Sequence, residues 1–143
     1  MASGAYKLAV GGALTGAVDY DTDTFYVMLL TSTYTADFDA HDYRDDLTNE
    51  VANSGTYAAG GASVTVTVGA FNTTTNKYSV SLGSKTFTGT TITARYAAYY
   101  KRRGGASSAD ELIALNDFGS DVISAAGDFT VNASSFDIEL NAA

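Results

Sequence analysis

Three groups of residues carry functional groups at spacings that chemistry could use. Asp19-x-Asp21-x-Asp23 has the alternating carboxylates of a calcium loop. Such a loop also needs a glycine at its sixth position and a glutamate at its twelfth. Thr24 and Leu30 stand there instead, inside a predicted strand, so the aspartates read as a turn that bonds its own backbone. His41, the only histidine, lies among Asp39, Asp42, Asp45 and Asp46. One histidine without cysteine cannot assemble the common zinc sites, and carboxylates alone favour loosely held hard cations. His41 is therefore expected to be a solvated surface residue, and no metal or cofactor is expected.

The third group is Lys101-Arg102-Arg103, the one dense run of positive charge on a chain of net charge −8. It closes the stretch TTITARYAAYYKRR (90–103), which also clusters Tyr96, Tyr99 and Tyr100. Flat amphipathic rings of this kind bind proteins and sugars, but on a strand most of them pack a core. The basic tip is expected to meet acid, either the 37–50 segment of its own chain or a neighbour. Lys101, Arg102, Arg103, Asp42, Asp45 and Asp46 are thus the candidate assembly contacts. Reversing Arg102 and Arg103 to glutamate is expected to weaken assembly and leave the isolated fold intact. No serine sits on a G-x-S-x-G elbow, and the paired glycines lack the lysine of a phosphate loop. With no catalytic constellation to name, the expectation is a protein that is not an enzyme.

The elements that position these groups follow from periodicity. The 143 residues are expected to form one domain (1–143), and 45% of them are hydrophobic while only 17% are charged, against about 25% in an average domain. Nine of the sixteen acidic residues (Asp19, Asp21, Asp23, Asp37, Asp39, Asp42, Asp45, Asp46, Glu50) fall between positions 19 and 50. That imbalance argues against nucleic-acid and anionic-membrane partners. The absence of cysteine excludes disulfides. Residues 1–18 read as an N-terminal arm or short helix of the mature protein, since Gly11, Gly12 and Thr15 dilute a signal-like apolar run.

Thr24 to Thr31 is apolar on both faces and predicts a strand buried on both sides. Residues 32–53 are too acidic for a strand and predict a surface excursion, with one helical turn over Asp42 to Leu47 capped by Asp42. Ala62 to Val68 alternates as one strand, NTTTNK (72–77) is a turn, and Tyr78, Val80 and Leu82 alternate again. Thr86 to Thr88 is short, and 90–103 is then a central strand with Ile92, Ala94, Tyr96, Ala98 and Tyr100 on one face. Glu111 to Asn116, Phe129 to Val131 and Phe136 to Leu140 complete about eight short strands separated by turn signals. This is the pattern of an all-β, β-rich fold with one or two short helices, an antiparallel sandwich or barrel.

The order ALTGAVDYDTDTFYVMLLTSTYTADFDAHDYRDDLTNEV, TITARYAAYYKRR, ELIALNDFGSDV and GDFTVNAS, from about Ala13 to Leu140, resembles a group of small virion structural proteins of tailed bacteriophages. The resemblance implies a particle component, first a capsid decoration (cement) protein on the outer shell. A tail or fibre-associated protein that binds a host glycan or protein is the alternative. It further implies an oligomer, a trimer if shell three-fold points are decorated, with the major capsid protein as partner and the virion, assembled in the host cytoplasm, as location.

Overall fold

The computed structural model describes residues 3–141, and within them the chain is all-β around one helix. Ten strands are formed rather than about eight. They are β1 (Gly4–Ala5), β2 (Phe25–Leu30), β3 (Ala62–Val64), β4 (Val66–Val68), β5 (Lys77–Leu82), β6 (Lys85–Thr90), β7 (Thr93–Lys101), β8 (Leu112–Ile123), β9 (Gly127–Val131) and β10 (Ser134–Glu139). Every pairing is antiparallel. One sheet has the order β1-β8-β7-β2-β3, a second β10-β5-β4, and β6 pairs with β9.

The five-stranded sheet is buried on both faces, which is why β2 has no polar face. Phe25, Val27 and Leu29 point to one core with Ala97, Tyr99, Val66, Val80, Leu82, Phe87 and Phe129. Met28 and Leu30 point to a second core with Tyr96, Ala98, Tyr100, Leu112 and Leu115. The lid of that second core is the segment read as a surface excursion. Tyr34 and Leu47 descend from it onto the sheet, and Tyr6 joins them. Its far end extends the sheet beyond β3: Val51 N–H donates to Leu29 O (3.0 Å), and Thr31 N–H to Asn49 O (2.9 Å). Residues 32–53 therefore bury apolar groups as well as presenting carboxylates.

The N-terminal segment is both an edge strand and a helix. Gly4 and Ala5 pair with Leu115 and Ala114, and α1 (Lys7–Thr15) follows, ending at Gly16, whose N–H reaches Ala13 O at 3.4 Å. The single strand expected over 62–68 is split at Thr65, its halves pairing with β2 in one sheet and β5 in the other. Its alternation survives because both halves face the same interlayer space. The 3-10 turn is Arg44–Asp46 with Tyr43, not Asp42, at its cap. The acid that closes it is Asp46, whose Oδ2 accepts from Asp42 N–H (2.8 Å) and Tyr43 N–H (3.0 Å).

The central strand begins at Thr93, because Thr90 still belongs to β6. Its alternation also slips. Ile92 and Ala94 lie in the first core, whereas Tyr96, Ala98 and Tyr100 lie in the second. The cause is an irregularity against β8: Ala94 pairs Val122 and Tyr96 pairs Asp117. One residue of β7, Arg95, thus faces four of β8, Phe118, Gly119, Ser120 and Asp121. Residues 118–121 form a large bulge inside a continuous twelve-residue strand.

Candidate functional site

The basic tip lies where β7 leaves the sheet, between α1, the Asp turn and the start of β8. Lys101 is 8% exposed, and its Nζ donates to Ala17 O (2.6 Å) while lying 2.7 Å from Asp23 Oδ2. The ammonium thus sits against the turn where a bound cation would be expected. Both Asp19 oxygens are also bonded within the turn, Oδ1 accepting from Asp21 N–H (2.9 Å) and Oδ2 from the Thr22 hydroxyl (2.9 Å), and Asp23 Oδ2 accepts from Asp19 N–H as well (2.7 Å). These hydrogen bonds, first that from Thr22, hold the Asp19 carboxyl below its ordinary range. Among the described residues no cluster of three or more His, Cys, Asp or Glu could hold a metal ion.

Arg103 grips Glu111 with Nε (3.1 and 3.2 Å) and Nη2 (2.5 Å), and Nη2 also donates to Ala17 O at 3.0 Å. Its backbone N–H donates to Asp110 Oδ1 (2.8 Å), while Asp110 Oδ2 accepts from Arg44 Nε (2.8 Å). Asp110 is buried. It joins the loop after β7 to the lid over the second core, a function that its polar sequence neighbourhood gave no sign of. The Arg44 guanidinium also lies 5.2 Å from the Tyr100 ring, and that of Arg102 lies 4.6 Å from the Tyr26 ring.

Lys101 and Arg103 therefore find their acids within the chain, but in Asp23 and Glu111 rather than in the 37–50 segment. Asp42 is instead 3.1 Å from Lys7 Nζ, an ion pair without hydrogen-bond angles, which leaves buried Oδ1 otherwise unpartnered. Asp46 serves its own turn, and the bonds from Tyr43 and then Asp42 hold its carboxyl below the ordinary range. Asp45 faces solvent, and Arg102 is the one member of the tip that forms no close ion pair among the described residues: its guanidinium lies against Tyr26 and Tyr100, with Asp110 farther off.

His41, expected to be solvated, is half-buried and also hydrogen-bonded within the chain. Its Nδ1 lies 2.8 Å from the Tyr34 hydroxyl, which lies 2.8 Å from that of Tyr6, and Asp37 N–H points at the same Nδ1 from 3.4 Å. With Nδ1 as acceptor, Tyr34 donates to His41 and Tyr6 donates to Tyr34, and both tyrosine hydroxyl protons are used. Burial pushes the Tyr6 and Tyr34 hydroxyls up. Tyr57 is placed similarly: its hydroxyl accepts from Leu29 N–H (3.0 Å) and donates to Glu50 (2.7 Å). Tyr96, Tyr99 and Tyr100 are all core residues, so none of the three is open to a glycan.

Two of the clefts beside the sandwich adjoin β8. One, of about 260 Å³, lies at the open seam between β1-β8 and β5-β10, lined by Gly4, Leu82, Ala114, Ser134 and Phe136. Near it the buried hydroxyls of Tyr99 and Ser134 lack hydrogen-bond geometry. The other, of about 370 Å³, lies between the β8 bulge and β9. No described helix is long and apolar enough to cross a membrane. The chain matches no protein family, no curated protein and no solved structure.

Proposed function

We propose that this chain is a non-enzymatic structural protein of a phage particle, a capsid decoration or cement protein that binds the outer shell and stabilises adjacent capsomers. The observation that carries the reading is the closure of the charged end. Lys101, Arg103 and Arg44 all end on carboxylates of their own chain, so the Asp turn, the loop after β7 and the lid are fixed to the sheet before any neighbour is met. A preformed block loses little conformational freedom on docking, which favours repeated attachment at many equivalent places. The half-buried Arg102 and exposed lid carboxylates such as Asp45 are charges left for such contacts. Exposed charges of this kind set register and partner choice more than affinity.

The partners on this reading are further copies of the chain, a trimer at shell three-fold points, and the major capsid protein. Its location is the virion, assembled in the host cytoplasm. Reconstruction of particles tests it. Many copies distributed over the shell are expected, and density confined to the tail would overturn the shell placement. A second reading, a tail or fibre-associated protein that binds a host glycan, is favoured by one observation: the cleft beneath Phe118.

A further inference from the structure

We propose that the cleft between the β8 bulge and β9 is a binding site for a neutral saccharide. The inference gives the second reading its site, and it does not depend on where in a particle the chain resides. The cleft exists because β8 carries Phe118 to Asp121 opposite the single residue Arg95. Such a bulge interrupts the ladder and re-aims side chains, and bulges of this kind are common beside functional sites. It is held deliberately. Asp117 accepts from Arg95 Nε (2.6 Å) on one side and from Gly119 N–H (2.8 Å) on the other, and Gly119 adopts a φ of 82° that other residues avoid. Apolar surface lies open beside the bulge: Val122 is 38% exposed.

The chemistry of the walls selects the ligand. Phe118 stands over Phe129 with ring centroids 6.1 Å apart, and with Val122 they form an apolar floor. Asn116, Thr130 and Asn132 form the polar side. Asn116 Oδ1 accepts from the Ser3 hydroxyl (3.2 Å), which leaves its NH2 available, and the Asn132 carboxamide has no partner among the described residues. A sugar ring offers a C–H face to an aromatic floor and a rim of hydroxyls, and carboxamides can donate to and accept from that rim together. An anionic ligand is disfavoured, because no cation lines the cleft and Arg95 is already paired with Asp117. A wholly apolar ligand would strip water from the two carboxamides without replacing its hydrogen bonds. A volume of about 370 Å³ sits at the lower end of the range of small-molecule sites, which fits one or two sugar rings.

The test is a titration of the full chain, labelled with nitrogen-15, with glucose, galactose, N-acetylglucosamine and their disaccharides up to about 50 mM, a range that captures weak binding. Saturable amide shifts confined to residues 116–118, 122 and 129–132 are expected with at least one sugar. Asn132→Ala, at an exposed position that leaves the core untouched, is expected to weaken the dissociation constant about tenfold, and Phe118→Ala to abolish the shifts. The proposal is overturned if no sugar gives saturable shifts, or if they map elsewhere. It is equally overturned if Asn132→Ala has no effect, or if cyclohexanol binds as well as the sugars. None of these outcomes bears on shell placement, which particle reconstruction decides separately.

Discussion

The ammonium of Lys101 lies 2.7 Å from Asp23 Oδ2, where the central strand meets the Asp turn. A residue that reads as part of a solvent-facing basic tip is instead a nearly buried clamp between two segments 78 positions apart (101 − 23). Lys101→Met should therefore destabilise the chain by roughly 2–4 kcal/mol, because it strands a partly buried carboxylate. Asp23→Asn in the same background should recover part of the loss, the non-additivity expected of contacting residues. Urea unfolding of the two single variants and the double variant measures it. Purely additive losses would show that the pair is not coupled.

The same geometry predicts how the chain responds to calcium. With Lys101 against Asp23 and the Asp19 oxygens bonded within the turn, no calcium-dependent stabilisation is expected. The melting temperature should be the same in excess calcium and in chelator, because a ligand specific to the native state must raise it. A rise of several degrees in calcium would mean that Lys101 is displaced.

Charge reversal at the tip should separate Arg102 from Arg103, contrary to the expectation that both can be reversed with the fold intact. Arg102→Glu loses a half-buried contact with the Tyr26 ring and the neighbouring Tyr100 hydroxyl, about 1–2 kcal/mol. Arg103→Glu removes the partner of Glu111, whose side chain is 8% exposed, and puts a like charge beside it, a cost of roughly 3 kcal/mol or more. Thermal melts of the single variants check the difference. Arg102→Glu is consequently the variant with which to test assembly, since its effect would not be confused with unfolding.

Much of this architecture was legible in the residues, and what was hidden has a physical reason. The two-sided apolar run Phe25–Leu30 announced a buried strand, and the turn at NTTTNK closed through Asn72, whose side chain accepts from Thr74 and Thr75 N–H. Period-two reasoning failed at Arg95, because a bulge shifts the phase of β7 through residues that lie on β8. It also could not show that Ala62–Val68 serves two sheets, since the alternation is the same in both. The segment 32–53 is mostly surface, as expected, but its part as a lid was not legible because its few apolar anchors, Tyr34, Leu47 and Val51, are spaced by no helical or strand period. At the candidate site the basic residues were visible, but their acids were not: Asp23 and Glu111 meet Lys101 and Arg103 only through strand order, which the sequence does not state.

Acid should loosen the lid and the bulge. The backbone N–H groups of Tyr43 and Asp42 hold the Asp46 carboxyl below its ordinary range, and the Arg95 hydrogen bond does the same for Asp117. A carboxyl lowered on folding contributes stability above its unfolded pKa and loses it as pH falls through the folded one. The urea midpoint should therefore drop steadily below about pH 4, near the ordinary carboxylate value. Asp117→Asn should be less stable at neutral pH and show a shallower decline in acid. An unchanged slope in that variant would show that Asp117 is not among the groups responsible.

Tyr99 tests whether the tip strand's tyrosines pack or bind. Its side chain is fully buried and burial pushes its hydroxyl up, while that hydroxyl and the one of Ser134 lack hydrogen-bond geometry. Removing an unsatisfied buried hydroxyl costs little, so Tyr99→Phe should be neutral or stabilise by up to about 1 kcal/mol. Tyr99→Ala empties the first core beside Leu82 and Ala114 and should cost about 3–5 kcal/mol. The contrast between the two variants is the informative quantity. If Tyr99→Phe alone costs more than about 1.5 kcal/mol, the hydroxyl is bonded in solution, through a water or through Ser134, and the seam beside β10 is a polar contact rather than a packing fault.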